Sequence, residues 1–74
     1  MSTDEKLVHM ANQIAGFFAA QGEMRAVPGI ADHLVKFWEP AMRGRLLELA
    51  KTPDIGLSEL VRKALPLVAA SLAQ

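Results

Sequence analysis

The chain has 74 residues with eight basic and eight acidic side chains, no cysteine, and an apolar content of 51%. This length allows one domain, which we expect to span residues 1–74. The zero net charge provides no basic excess for nucleic acid binding, and the absence of cysteine excludes a disulfide framework or a thiolate metal site.

A membrane-spanning segment is not predicted. The longest run without a charge is Leu7–Gly22, which has 16 residues and includes His9 and Asn12. A spanning helix needs about 20 predominantly apolar residues. The first residues lack the basic and apolar regions of a signal peptide. We therefore expect a cytoplasmic protein that does not contact membranes.

The first predicted helix covers residues 4–21. Ser2 and Glu5 have the spacing of a capping box, and Thr3 is a competing N-cap. Gly22 favours an end of the helix at this point. The apolar residues then cover about 120° of the helix surface, as in a helix that faces a core. They are Leu7, Met10, Ala11, Ile14, Phe17 and Phe18.

The second predicted helix covers residues 28–38, after a link over residues 23–26. Pro28 is placed in its first turn, where a missing N–H costs nothing. Asp32 and Lys36 have the spacing of a favourable ion pair on its polar side. The apolar side is formed by Val27, Ile30, Ala31, Leu34, Val35, Phe37 and Trp38.

Two further helices are predicted in the second half of the chain. Pro40 pushes Glu39 out of helical geometry and opens the third helix, whose apolar side includes Leu46 and Leu49. Residues 52–56 are predicted to form a loop, and Ser58 is predicted to be the N-cap of the fourth helix. Pro66 lies inside this helix and predicts a kink there. The sequence thus predicts an all-α fold, a small bundle of about four short helices with short connections.

No motif in the sequence indicates catalysis. His9 and His33 belong to no metal-binding pattern, and the glycines form no phosphate-binding motif. Ser2 and Ser58 are explained as helix caps. We therefore expect no enzymatic activity, metal or cofactor for this chain alone.

Three features remain ambiguous at this level. The back face of the first helix (His9, Asn12, Gly16, Ala19 and Ala20, with Gln13 at its flank) is uncharged, which fits either an alanine-rich helix or a docking surface. Phe37 and Trp38 point about 100° apart, so both belong to the core or one anchors an interface. Arg43 has the spacing of a solvated ion pair with Glu39.

Two segments carry a resemblance to a known family. Met10–Phe18 and Gly29–Arg43 resemble the delta subunit of soluble NAD-dependent molybdenum or tungsten formate dehydrogenases. The similarity continues through Arg45–Leu47 and from Gly56 to Arg62, and it covers most of the chain from Lys6 to about Leu65.

The resemblance implies a non-catalytic accessory subunit that docks on a catalytic alpha subunit and stabilises the complex or assists its assembly. It also implies the cofactors of that complex. The alpha subunit would hold bis-molybdopterin guanine dinucleotide and iron–sulfur clusters. The beta and gamma subunits would hold FMN and further clusters, and NAD would be the electron acceptor. The alternatives are a transient maturation factor for the apo catalytic subunit and an independent self-associating regulator. Eight residues are expected to contact the partner or to hold the motif structure: Asn12, Gln13, Gly16, His33, Lys36, Trp38, Pro40 and Arg43.

Overall fold

Four helices make up the regular structure of residues 2–72, the part of the chain that the computed structural model describes. They are α1 (Thr3–Ala19), α2 (Glu23–Phe37), α3 (Pro40–Leu49) and α4 (Glu59–Leu72). The described residues contain no strand. The predicted all-α fold of four short helices is confirmed.

Both ends of α1 follow from local sequence. The backbone N–H of Glu5 donates to the Ser2 hydroxyl at 3.1 Å, so Ser2 is the N-cap, as predicted. The helix ends at Ala19, two residues before the predicted boundary. The chain then turns at Gly22, whose φ of 87° suits glycine and is strained for other residues.

The predicted start of the second helix is wrong, because α2 begins at Glu23 and not at residue 28. Pro28 lies in the helix interior and deprives the Met24 carbonyl of its usual donor. The first turn forms nevertheless, since Ala26 is completely buried and its N–H donates to the Gly22 carbonyl at 2.8 Å. Packing of this turn against the core therefore outweighs the cost of an interior proline.

The break between α2 and α3 is confirmed, but its arginine has an unexpected role. Glu39 is extended (φ −66°, ψ 150°) and Pro40 occupies the start of α3. The expected ion pair of Arg43 with Glu39 is wrong, since Arg43 Nη1 donates to the Val35 carbonyl at 2.8 Å and the Trp38 carbonyl at 2.7 Å. The guanidinium thereby supplies donors to the C-terminal end of α2, which has carbonyls without helical partners.

Polar side chains form hydrogen bonds at both ends of the loop before α4. The Ser58 hydroxyl accepts from the Val61 N–H at 3.3 Å, which confirms Ser58 as an N-cap. Arg62 donates to three carbonyls at the end of α3 and in the loop, those of Ala50, Thr52 and Pro53, at 2.9–3.1 Å. These bonds order the exposed part of the loop, residues 51–54, whereas Leu57 nearer α4 is buried in the core.

The last helix continues through its proline. Pro66 lies inside α4, which the structure follows to Leu72. Pro66 has no N–H to donate to the Arg62 carbonyl, so one helical hydrogen bond is missing there. The kink expected at this point stays a prediction.

The core is centred on α2, which packs extensively on α4 and also on α1. Ion pairs at the surface add to this arrangement: Lys63 of α4 meets Glu23 of α2 at 2.7 Å, and the predicted Asp32–Lys36 pair is present at 3.2 Å. The buried apolar side chains are Leu7, Val8, Ala11, Ala15, Ala26, Ile30, Ala31, Leu34, Trp38, Leu46, Leu49, Leu57, Val61, Ala64, Leu65 and Val68.

The buried face of α1 differs from the predicted apolar face by about 70° around the helix axis, at 100° per residue. Val8 and Ala15 are buried, whereas Phe17 is 73% and Met10 40% exposed. The expectation that Phe17 and Met10 belong to the core is therefore wrong. Small residues such as Ala11 and Ala15 let neighbouring helices approach α1 closely, and the large side chains are left at the edge of this contact.

The N-terminus of α1 is tied to α3 by a bidentate ion pair. Arg45 donates from Nε and Nη2 to the two carboxylate oxygens of Asp4 at 2.8 and 2.7 Å. These hydrogen bonds hold the pKa of Asp4 below its ordinary value of 3.8. A carboxyl whose pKa is lower in the folded state binds fewer protons than in the unfolded state, so its stabilising effect grows with pH.

We expect the stabilising effect of Asp4 to be present near neutral pH and to be lost as the pH falls below 3.8 through the lowered pKa of the folded state. Urea denaturation of the wild type and of Asp4→Asn at a series of pH values measures it. The wild type should be the more stable protein at neutral pH, and the difference should vanish in strong acid. Asp54→Asn, in an exposed loop, is the control. A difference between wild type and Asp4→Asn that does not change with pH would contradict this assignment.

Candidate docking surface

An open apolar groove lies between α1 and α2. Its volume is about 410 Å³. Unlike the core, it is exposed to solvent along its length, since Phe17 and Met10 on its α1 side are exposed. We call it the α1–α2 groove, and it is lined by Met10, Gln13, Ile14, Phe17, Phe18, His33 and Trp38.

A row of aromatic rings runs across the groove from one helix to the other. The ring centroids of Phe17 and Phe18 are 5.3 Å apart, and Phe18 lies 6.4 Å from His33. His33 in turn lies 4.9 Å from Phe37. The two end members, Phe17 and Phe37, are each 73% exposed. Large rings with this exposure at both ends of one row are typical of an interaction surface.

The inner part of the groove is held by tight packing. Trp38 is 6% exposed and belongs to the core. It also forms part of the lining of the groove. Gly29 allows α1 and α2 to come together, since a Cβ at this position would lie 2.8 Å from two ring carbons of Phe18. The position of Phe18 in the groove therefore depends on the missing side chain at Gly29.

The groove has no charged side chain in its lining. The rest of the exposed surface of α1 is also uncharged beyond its first turn, because the sequence has no charged residue from Leu7 to Gly22. The closest charges along α2 are Asp32 and Lys36, which pair with each other and are each more than half exposed. The surface thus combines large apolar groups with only two polar ones, Gln13 and His33.

The structure brings three of the eight predicted site residues together in the groove, namely Gln13, His33 and Trp38. Gly16 is exposed on the neighbouring face of α1, and Lys36 is engaged with Asp32. Pro40 starts α3. Their contact with a partner stays a prediction.

Asn12 and Arg43 use their polar atoms within the chain. Asn12 Nδ2 donates to the Gly56 carbonyl at 2.8 Å, and Asn12 Oδ1 accepts from the Ser58 N–H at 2.9 Å. Asn12 thus joins α1 to the loop before α4, and Arg43 joins α3 to the end of α2. Neither residue lines the groove, and both use their polar atoms to hold elements of the fold together.

Replacement of Asn12 by alanine is expected to lower the free energy of unfolding by about 1–3 kcal/mol, because the partly buried Ser58 N–H loses its acceptor. Urea denaturation followed by circular dichroism measures the change. The matched control is Gln13→Ala, which removes the neighbouring exposed amide and should change stability by less than about 0.5 kcal/mol. Equal denaturation midpoints for the two variants would show that the Asn12 hydrogen bonds do not stabilise the fold.

Sequence reasoning missed the most exposed members of the groove. The periodicity of α1 predicts Phe17 and Met10 in the core, and the sequence leaves Phe37, which lies beside the groove at the end of the aromatic row, open between core and interface. A signal for Phe17 was present, because Phe17 and Phe18 are adjacent and point about 100° apart, as Phe37 and Trp38 do. In each pair one ring points inward and the other outward.

Two kinds of arrangement were sought among the residues that the structure describes: a cluster of metal ligands and a helix that could span a membrane. Among residues 2–72, no three metal-ligating side chains lie close enough together to hold an ion. Within the same range, no helix combines the length and the apolar character that crossing a bilayer requires.

Comparison with known protein families gives a match over most of the chain. The family model described as NADH-dependent formate dehydrogenase delta subunit FdsD matches residues 6–65. No curated protein and no solved structure matches the chain significantly. The matched range contains both motif segments, Met10–Phe18 and Gly29–Arg43, and with them the whole α1–α2 groove.

Proposed function

The chain belongs to the family of NADH-dependent formate dehydrogenase delta subunits, and from this premise we propose that it is an accessory subunit that docks on the catalytic alpha subunit. In this role it stabilises the complex or assists its assembly in the cytoplasm, together with the beta and gamma subunits. It takes no part in the oxidation of formate or the reduction of NAD.

The observation that carries the proposal is the exposure of large apolar side chains on an uncharged surface. Phe17 and Phe37 are each 73% exposed at the two ends of the aromatic row. Covering each ring in an interface would contribute about 1–2 kcal/mol of hydrophobic free energy. Exposed rings of this size that are grouped on one surface are typical of a site that a larger partner covers.

The cofactors of such a complex do not fit the residues of this chain. Iron–sulfur clusters are held chiefly by cysteine thiolates, and the sequence has no cysteine. Its two histidines, His9 and His33, do not belong to any metal-ligating cluster within residues 2–72. We therefore assign the molybdenum or tungsten cofactor, the clusters, FMN and NAD to the other subunits. This chain contributes binding surface.

Affinity purification of the tagged chain from its native cells, followed by quantification of each subunit, tests the proposal. We expect the formate dehydrogenase alpha subunit in the eluate, and the chain in equal amount to it in the purified active complex. A chain that joins only the apo alpha subunit and is substoichiometric in the active enzyme would be a maturation factor. A homo-oligomer without the alpha subunit would identify a self-associating regulator and overturn the proposal.

A further inference from the structure

We propose that the α1–α2 groove receives a helix of the partner subunit, and that the inserted face of this helix is uncharged and bears large apolar side chains. The inference rests on the proposed function, since it assumes that a larger subunit covers this chain. It goes further by assigning the surface that docks and the chemistry of its occupant.

The charge distribution determines which side chains the groove can accept. None of its lining residues is charged, and the Asp32–Lys36 pair beside it is already neutralised at 3.2 Å. A charged side chain inserted here would lose part of its hydration, and the lining residues offer no carboxylate, lysine or arginine to pair with it. An uncharged apolar face needs no such pairing. The complement of this groove is therefore a face without Asp, Glu, Lys or Arg.

The backbone of the occupant is constrained by the small number of polar groups in the groove. An extended segment would bring its own N–H and C=O groups against apolar walls, where only Gln13 and His33 could serve as partners. A helix satisfies these groups internally. The structure of the groove thus favours a helix over a strand.

The length of the groove agrees with this mode of binding. Its α1 wall extends from Met10 to Phe17, which is two helical turns or about 10 Å. Helices that bind in grooves use anchors at positions i, i+3 or i+4, and i+7, which cover the same distance. Phe17 and Phe37 at the ends of the aromatic row would flank the inserted side chains and exclude water from them.

Substitutions in the assembled complex test which surface docks. Phe17→Lys places a charge in the wall of the groove, and Phe37→Lys places one beside the groove at the end of the aromatic row. Both positions are exposed, so folding should be unaffected. The control is Met24→Lys, because Met24 is an apolar side chain outside the groove with 93% exposure. We expect each groove variant to bind a delta-depleted complex at least tenfold more weakly than the wild type, and Met24→Lys to bind like the wild type.

A photo-reactive benzoylphenylalanine at position 17 or 37 then identifies the occupant within the complex. The expected product is a cross-link to a helical segment of the partner subunit whose inserted face is uncharged. A cross-link to a second copy of this chain, or to a charged or extended segment, would overturn the inference. So would wild-type binding by both groove variants. If the wild-type chain itself fails to join the complex, the proposed function fails as well, which separates the two outcomes.

Discussion

Replacement of Ile30 by alanine is expected to lower the free energy of unfolding by about 2–5 kcal/mol. Ile30 is completely buried in α2, the helix that packs on both α1 and α4. Truncation removes apolar contacts and leaves a cavity that rigid neighbouring helices fill only in part. A chain of this size has a total stability of about 4–11 kcal/mol, so the loss is a large share of it. The midpoint of urea denaturation, followed by circular dichroism, measures the effect.

Two variants make this result specific to burial. Ile30→Val removes one methyl group and should cost about 0.5–1.5 kcal/mol. Met24→Ala shortens an apolar side chain of the same helix that is 93% exposed, and it should change stability by less than about 0.5 kcal/mol. A loss for Ile30→Ala as small as that for Met24→Ala would show that α2 is not the centre of the core.

Replacement of Arg43 by alanine is expected to cost about 2–3 kcal/mol, since it removes two charge-assisted hydrogen bonds. Arg43 Nη1 donates to the carbonyls of Val35 and Trp38, which lie at the end of α2 and have no other donor from the helix. Arg43 Nε is buried without a partner among residues 2–72, so part of this gain is already offset in the native protein.

The same variant should loosen the floor of the α1–α2 groove. Trp38 is the single tryptophan of the chain and is 6% exposed, so a red shift of its fluorescence would report the opening of this turn. Thermal unfolding gives the stability. Arg43→Lys keeps the charge but lacks the planar fork of donors, and we expect it to lie between alanine and the wild type. Arg25→Ala removes an exposed arginine of α2 as the control. An Arg43→Ala variant with wild-type stability and emission would refute the capping role.

The proposed function rests on the same division between buried and exposed groups. The polar side chains that an interface could have used, those of Asn12 and Arg43, hold the fold together instead. The apolar side chains that a core could have used, those of Phe17 and Phe37, are exposed around the groove. A protein arranged in this way gains most from a partner that supplies apolar surface.

The sequence alone determined where three of the four helices begin. Ser2 and Ser58 cap α1 and α4, and Pro40 opens α3 after an extended Glu39, because caps and prolines act through bonds to near neighbours. Local chemistry of this kind is fully present in the order of residues. The family resemblance was likewise contained in short segments, and the match over residues 6–65 confirms it.

Only the tertiary structure decided which side of α1 is buried. The periodicity of the sequence predicts Phe17 and Met10 in the core, but both are exposed. The buried side chains of α1 include Ala11, Ala15 and Val8, because small residues let neighbouring helices pack closely against it. The first turn of α2 forms in spite of Pro28 because burial of Ala26 stabilises it. Arg43 donates to carbonyl groups at the end of α2 and does not form the surface ion pair that its spacing from Glu39 predicts. Each of these outcomes depends on contacts between elements distant in sequence, and the groove between α1 and α2 exists only as their result.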